Sequence, residues 1–218
     1  VFEGTTTGAP ILIQFYNTDT DSSSYDNIKN KPRPGHSDYS AFRKHGGFND
    51  YRGGGHFSGR ITVGIVAAGV IARKLLGDME ITATVLEAGG QTDAVEAAMA
   101  AQRDRDSVGA LVEVRVTGVP AGLGEPFFDS VESVLSHLIF SVPGVKGIEF
   151  GTGFPCARMR GSQFNDAFIN IDGTTRTNHS GGINGGITNG NEIVYRVAVR
   201  PTSSIGTEQD TVNLKTGE

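Results

Sequence analysis

The chain has 218 residues, of which 37% are apolar and 20% charged, and its net charge is −5 at pH 7. These values are ordinary for a globular protein of one large domain or two small ones, and the acidic balance argues against a general nucleic-acid binder. The single cysteine, Cys156, excludes an internal disulfide framework and a cysteine-rich zinc site, and it suits a reducing compartment. Since no apolar run reaches transmembrane length, we expect a cytoplasmic protein with no membrane partner.

Five segments have the composition and alternation that are typical of β-strands. Leu111–Thr117 is the clearest, because its valines alternate with polar residues and so predict a half-buried strand. The predicted strands are Ala9–Tyr16, Glu80–Glu87, Leu111–Thr117, Val145–Phe150 and Ile193–Val199.

Three segments have helical periodicity. They are Ile61–Leu76, Asp93–Gln102 and the apolar series from Val131 to Ile139. Asp93 with Glu96, and Asp129 with Glu132, have the spacing of an N-terminal capping box, so we expect the second and third helices to begin at these pairs.

The order of helix, glycine turn, strand and glycine occurs twice, in Ile61–Gly90 and again in Phe127–Gly153. We interpret this order as an internal duplication with a pseudo-twofold relation. The helices are separated from short alternating strands, which favours an α+β fold with antiparallel sheets over a doubly wound parallel sheet.

One irregular segment, Arg33–Arg60, concentrates basic residues on this acidic chain. Local positive charge attracts anions, and arginine provides a planar fork for phosphate or carboxylate. The triple glycine Gly53–Gly55 allows a sharp turn or the close approach of a ligand. A helix that begins near Ser58 would direct unpaired N–H groups at the same place. The segment therefore predicts an anion site; the alternative is a solvated loop that caps the helix.

A second group of polar, glycine-rich segments lies near the end of the chain, at Ala157–Phe168 and Asn178–Gly190. Such loops are usually functional or disordered. Arg200–Ile205, which follows a predicted strand, offers an arginine and three hydroxyl groups and suits a phosphate; the alternative is a strand ended by proline. The three histidines of the basic segment lack the spacing of a metal-binding pair, so we predict no metal site.

Nine stretches together resemble one known family. In chain order they are VFEGTTTGAP, RPGHSDYS, DYRGGGHFSGR with VGIVAAGVIARK, DSVGALVEV, GVPAGLGEP, VPGVKGIEFGTGF, RGSQFND, NHSGGINGGITNG and VRPTSSI. Each stretch alone is weak evidence for a family, but the occurrence of all nine in the same order is strong evidence. The chain resembles chorismate synthase over almost its entire length.

The resemblance implies a lyase of the shikimate pathway that converts 5-enolpyruvylshikimate 3-phosphate to chorismate by 1,4-anti-elimination of phosphate. It implies a requirement for reduced FMN, with NADPH as one source of the reducing electrons and externally reduced flavin as the other. It also implies a β-sandwich core of antiparallel sheets flanked by helices, and a homotetramer. Two alternatives stay open: a non-catalytic relative that binds FMN or a phosphate ligand, and an FMN-dependent oxidoreductase.

The resemblance also assigns roles to residues. His36 matches a catalytic histidine thought to protonate the reduced flavin, and Arg33 and Arg60 match arginines that hold the phosphate and carboxylates of the substrate. Arg52, Ser58 and Gly59 are placed with these substrate-binding residues. The flavin contacts correspond to His56, Phe57, Ser58, Pro143, Gly144, Gly185, Arg200, Pro201, Thr202, Ser203 and Ser204.

The sequence departs from the family pattern at several points. His56 stands where many members have arginine, and Arg200 where many have lysine; both keep a polar or cationic group. The GESHG motif with a second catalytic histidine, the RRRPG segment and the GRHDP motif are not in the sequence. The stretch around Gly90 and Gln91 is shorter than in the family. We therefore expect 1–218 to be a single chorismate synthase-like domain that lacks N-terminal, C-terminal and internal loop segments.

Overall fold

The computed structural model describes residues 1–18, 20–26 and 28–218. The helices are α1 (Ser23–Asp26), α2 (Asp38–Lys44), α3 (Val63–Leu75), α4 (Ala94–Arg103), α5 (Val131–Ile139) and α6 (Gly161–Phe164). The strands are β1 (Glu80–Ala88), β2 (Ala110–Thr117), β3 (Val145–Phe150), β4 (Ile183–Asn184), β5 (Ile187–Thr188) and β6 (Ile193–Val199). Short 3₁₀ helices lie at Arg52–Phe57, Gly59–Thr62, Phe127–Asp129 and Phe154–Arg158. No helix in these ranges has both the length and the apolarity to cross a membrane.

Four of the predicted strands form one antiparallel sheet in the order β1-β2-β6-β3. In the centre of the sheet, Val114 lies opposite Ala83 on one side and Tyr195 on the other. The alternation of β2 places its three valines on the same face as Ile193, Tyr195 and Val197 of β6, since successive side chains of a strand point to opposite sides. The predicted α+β class with an antiparallel sheet is confirmed.

The hydrophobic core lies on one face of this sheet. Ile193, Tyr195 and Val197 are buried there, and helix α5 packs over them with Val131 and Leu135. Because α5 is amphipathic with apolar residues three and four positions apart, it covers the β3–β6 side of the sheet with one face. The core therefore holds the end of β6 in position, and the residues of the candidate site follow directly after it.

The opposite face of the sheet carries a chain of ion pairs. Arg196 on β6 lies 2.9 Å from Glu113 on β2 and 3.3 Å from Glu149 on β3. Arg115 lies 2.8 Å from Glu113 and 2.7 Å from Glu192. The Glu113 side chain is only 11% exposed, so these cations compensate a largely desolvated carboxylate.

We expect Arg196→Met to lower the free energy of unfolding by about 2 kcal/mol, because Glu113 loses one of two cationic partners in a desolvated position. Urea unfolding monitored by circular dichroism measures the change. Arg103→Met is the matched control, since its pair with Glu96 is exposed on both sides and should contribute less than about 1 kcal/mol. An equal loss of unfolding free energy in the two variants would contradict the claim that burial of Glu113 makes its ion pairs more important.

The predicted strand Ala9–Tyr16 is wrong. The segment is irregular, and its side chains are exposed, with Leu12 at 86% and Tyr16 at 80%. No strand among the described residues pairs with it. An apolar segment without a partner strand has no hydrogen-bond ladder and no face to bury, so its propensity alone does not form a strand.

The caps of two helices test the predicted starts. Asp93 accepts a hydrogen bond from the Glu96 N–H at 3.0 Å, which confirms it as the N-cap of α4. For α5 the predicted cap Asp129 is wrong, because Ser130 accepts from the Ser133 N–H at 3.1 Å instead. Serine and aspartate are comparable N-caps, so sequence spacing alone did not distinguish these neighbours.

The two predicted repeat units lead into opposite edges of the sheet, α3 into β1 and α5 into β3. Their packing differs: α5 lies on the core, whereas α3 has no buried residue and packs mainly on the 3₁₀ turn before it. The described strands form one further sheet, the two-stranded β4–β5 pair. The duplication and the β-sandwich therefore stay predictions.

Candidate active-site cleft

A cleft of about 340 Å³ lies where the basic segment meets the end of β6 and the turn before β3. Its walls come from parts of the chain that are far apart in sequence. The lining residues are Tyr25, Arg33, His36, Gly53, Gly54, Phe57, Ser58, Gly59, Pro143, Gly144, Val199, Arg200, Pro201, Thr202, Ser203 and Ser204. The structure thus brings together twelve of the residues that the sequence assigned to a site: Arg33, His36, Phe57, Ser58, Gly59, Pro143, Gly144, Arg200, Pro201, Thr202, Ser203 and Ser204.

His36 is held on the cleft wall by a short hydrogen bond. Its Nδ1 lies 2.6 Å from Oδ1 of Asp38, and its side chain is 13% exposed. Nη2 of Arg33 lies 3.1 Å from His36 Nδ1 and 3.3 Å from Nε2. A histidine fixed in this way and facing a cleft can hold or move a proton at a defined position.

Arg33 connects the histidine to the turn after β6. Its Nε donates to Asp38 Oδ2 at 2.8 Å, its Nη2 donates to Asp38 Oδ1 at 3.0 Å, and its Nη1 donates to Ser204 Oγ at 2.9 Å. The Arg33–Asp38 pair is bidentate, which fixes the plane of the guanidinium. The side chain therefore links two walls of the cleft that are 171 positions apart.

The Arg33–Asp38 pair is charged at neutral pH. Burial alone would raise the pKa of Asp38, but hydrogen bonds from the side chain and backbone of Arg33 outweigh it and hold this pKa below its ordinary value. The hydrogen bond to Asp38 likewise raises the pKa of Arg33. Asp38 therefore acts as a carboxylate that only accepts hydrogen bonds.

The triple glycine forms a wall without side chains. Gly53, Gly54 and Gly55 have φ angles of 58°, 79° and 56°, a region that residues with a Cβ rarely adopt. A Cβ at Gly53 would overlap the guanidinium of Arg60, and one at Gly54 would lie 4.0 Å from Cε1 of His36. Gly53 therefore allows the Arg60 guanidinium to lie directly against the backbone.

The predicted start of a helix near Ser58 is confirmed. Ser58 has an extended backbone, its side chain accepts from the Arg60 N–H at 3.4 Å, and the 3₁₀ turn Gly59–Thr62 leads directly into α3. Ser58 and Gly59 line the cleft. The first N–H groups of this helical stretch therefore lie at the cleft wall.

The turn after β6 is fixed from two sides. The Arg200 N–H donates to the Gly144 carbonyl at 2.8 Å, which holds the turn against the Pro143–Gly144 wall. The Ser107 hydroxyl donates to the Thr202 carbonyl at 2.7 Å. The turn presents a guanidinium and the hydroxyl groups of three consecutive residues at one wall, a set of donors that suits a phosphate.

Four predicted site residues do not line the cleft: Arg52, His56, Arg60 and Gly185. His56 is exposed, Arg60 lies behind Gly53, and Gly185 lies in the turn between β4 and β5. Their functional roles stay predictions.

Arg52 forms an exposed pair with Asp50. Its Nε and Nη2 donate to the two carboxylate oxygens, each at 2.9 Å. The Arg52 hydrogen bonds lower the pKa of Asp50 to about 2. The pair uses two of the five N–H groups of the guanidinium, so the others can bind a substrate anion while the pair is kept.

Sequence reasoning missed Asp38 and Tyr25. Asp38 is two positions from His36 and five from Arg33, a spacing that has no fixed geometry in an irregular loop. Tyr25 precedes the segment and lines the cleft. Among the described residues, no group of three or more His, Cys, Asp or Glu is placed to hold a metal ion.

The sheet, the helices and this cleft walled by glycine define an α+β protein with a basic cleft whose donors suit an anionic ligand. The family described as "Chorismate synthase" matches residues 1–218. The chain therefore belongs to the chorismate synthase family.

Individual relatives agree. The chain is 57% identical over 219 residues to "Chorismate synthase" of Chitinophaga pinensis, covering 100% of this chain and 66% of that protein. It is 46% identical over 243 residues to "Chorismate synthase" of Pyrococcus abyssi, covering 99% and 68%. A solved structure described as "Crystal Structure of Chorismate Synthase" has 26% identity and a TM-score of 0.59, covering 66% of this chain and 56% of that one. The chain spans about two thirds of the length of these curated relatives.

Proposed function

We propose that the complete protein converts 5-enolpyruvylshikimate 3-phosphate to chorismate by 1,4-anti-elimination of phosphate, using reduced FMN. The observation that carries this proposal is the cleft itself. It gathers a nearly buried histidine, two arginines and a hydroxyl-rich turn from distant parts of a chain that belongs to the chorismate synthase family. An enzyme that expels phosphate from an anionic substrate needs such groups, because most of its catalysis is electrostatic stabilisation.

The residues present fit a flavin mononucleotide. Arg200 and the hydroxyls of Thr202, Ser203 and Ser204 would hold its phosphate, and Gly53, Gly54 and Gly144 leave room for a flat ring close to the backbone. Phe57 adds an aromatic side chain at the same wall. Reduced FMN supplies the electron-rich ring on which this elimination depends. NADPH is one source of its electrons, and externally reduced flavin is the other.

The substrate carries one phosphate and two carboxylates, so we propose that arginines hold it. Arg33 and Arg60, together with Arg52, Ser58 and Gly59, are the assigned residues. The guanidinium of Arg60 lies against Gly53, a residue of the cleft wall, and Arg33 is oriented by Asp38. His56 and Gly185 are proposed to contact the flavin from outside the described cleft. His36 holds the proton that is exchanged during the reaction.

We also propose the assembly implied by the family: a β-sandwich core with a pseudo-twofold repeat, in a cytoplasmic homotetramer. Exposed apolar side chains support the assembly into an oligomer. Along α3, Val66 is 67% exposed, Val70 58% and Leu75 82%, and Ile81 on β1 is 41% exposed. Val66 and Val70 lie one helical turn apart and form a common exposed apolar strip, which supports an interaction face on α3.

The reaction is tested by product stoichiometry. The complete protein, supplied with reduced FMN and 5-enolpyruvylshikimate 3-phosphate, should release one phosphate for each chorismate formed. Substrate binding without phosphate release would instead indicate a non-catalytic relative. Consumption of one reduced flavin per turnover would indicate an oxidoreductase.

The flavin site is tested by comparing FMN with riboflavin, which lacks the phosphate. We expect Arg200→Ala to weaken FMN binding roughly 10- to 100-fold, the size of a charged hydrogen bond, and to leave riboflavin binding unchanged. Flavin fluorescence titration measures both affinities. Arg158→Ala is the matched control, because this exposed arginine lies outside the cleft. An equal loss of affinity for FMN and for riboflavin would contradict a contact between Arg200 and the phosphate.

A further inference from the structure

The hydrogen bonds of Asp38 leave it no capacity to bind a ligand. Oδ2 accepts from the Arg33 backbone N–H at 3.1 Å and from Arg33 Nε at 2.8 Å. Oδ1 accepts from Arg33 Nη2 at 3.0 Å and from His36 Nδ1 at 2.6 Å. A carboxylate offers about four acceptor positions, and all four are used here. Any role of Asp38 in the reaction must therefore act through Arg33 and His36.

The same contacts select one tautomer of the neutral His36 ring. An ionised carboxylate can only accept, so the nitrogen that faces Asp38, Nδ1, carries the proton. Arg33 Nη2 lies 3.1 Å from Nδ1 and 3.3 Å from Nε2, so its position does not distinguish the two ring nitrogens. The contact with Asp38 therefore selects the tautomer, with the proton on Nδ1 and the lone pair on Nε2.

We infer that Asp38 is a positioning residue, which fixes His36 as the Nδ1–H tautomer and leaves Nε2 as the nitrogen that exchanges a proton with a bound ligand. This inference rests on the proposed function, since it assigns the way in which the catalytic histidine is prepared. The other titratable groups that line the cleft with His36 are Tyr25, Arg33 and Arg200. The link from Arg33 to Ser204 ties this orientation to the turn proposed to bind phosphate.

The test is an NMR measurement of the tautomer combined with kinetics. Long-range ¹H–¹⁵N spectra of the complete protein labelled with [¹⁵N]histidine distinguish Nδ1–H from Nε2–H rings, and the His36→Ala spectrum assigns the signal. Wild type should show His36 as Nδ1–H. In Asp38→Asn this preference should be lost, and kcat should fall on the order of 100-fold, the size of a general acid–base effect, while KM for the substrate should rise less, through the weakened orientation of Arg33.

Controls separate this role from a structural one. Glu96→Gln makes the same carboxylate-to-amide change at an exposed arginine pair on α4, 2.6 Å from Arg103, and should change neither readout. Asp38→Glu keeps the charge and should restore the Nδ1–H tautomer and part of kcat. If Asp38→Asn does not fold, the spectra of wild type and Asp38→Glu decide whether Asp38 fixes the tautomer of His36.

Three results would overturn the inference. They are an Nε2–H ring in wild type, a folded Asp38→Asn that keeps the Nδ1–H tautomer or wild-type kcat, and a folded Asp38→Glu that loses both the tautomer and kcat. Failure of the proposed function is distinguishable, because a wild-type protein that forms no chorismate still reports the tautomer of His36.

Discussion

His36→Ala is expected to lower kcat by roughly 100- to 10,000-fold, the usual contribution of a positioned general acid or base. The KM for 5-enolpyruvylshikimate 3-phosphate should change far less, because binding of this anion depends on the arginines. The variant keeps Arg33 paired with Asp38, since that bidentate contact does not involve the imidazole. Steady-state kinetics with saturating reduced FMN separates the two parameters.

The matched control is His45→Ala. His45 belongs to the same basic segment but is exposed at the end of α2, and its contribution to the helix cap is a backbone N–H that the substitution retains. Its kinetics should equal those of wild type. Unchanged kcat in His36→Ala would reject the catalytic role, and a loss confined to KM would make His36 a binding residue.

Gly53→Ala is expected to raise the KM for the substrate roughly 10- to 100-fold, the equivalent of one charged hydrogen bond to an anion. The added methyl group would overlap the guanidinium of Arg60 and displace it from its position against Gly53, which lines the cleft. Substrate affinity measured by titration, with reduced FMN present, should show the same loss. The kcat at saturating substrate should fall less than KM rises, because the three atoms nearest to the new methyl group all belong to Arg60.

Gly46→Ala separates this overlap from backbone strain. Gly46 has a φ of 59°, almost the same as the 58° of Gly53, but a Cβ there has no atom within 4 Å. Both variants should lose about 1 kcal/mol of stability from the unfavourable φ. Only Gly53→Ala should lose substrate affinity. Equal affinity in the two variants would show that Arg60 does not hold the substrate.

The parts of the fold that sequence predicted are those where local pattern and tertiary contacts agree. β2 alternates apolar and polar residues, and the sheet buries its valine face and pairs its charges on the other face. Ala9–Tyr16 has equally strong strand composition but no partner among the described residues. Composition therefore indicated a strand that pairing did not support.

In the candidate site, too, the sequence predicted some features and missed others. The motifs predicted which segments carry the chemistry, and the structure brings His36, Arg33 and Arg200 to one cleft. Sequence could not predict that Asp38 would bond both Arg33 and His36, because loop geometry decides which carboxylate is within reach. Nor could it predict that Arg60 lies behind a glycine.

The most direct test of the central claim is an anaerobic measurement on the complete protein. Reduced FMN and 5-enolpyruvylshikimate 3-phosphate are mixed with the protein, and flavin absorbance and chorismate are followed together. A redox-neutral lyase predicts chorismate with a transient flavin signal and no net oxidation of the flavin. Net oxidation in proportion to substrate consumed, or bound substrate that yields no chorismate, would contradict it.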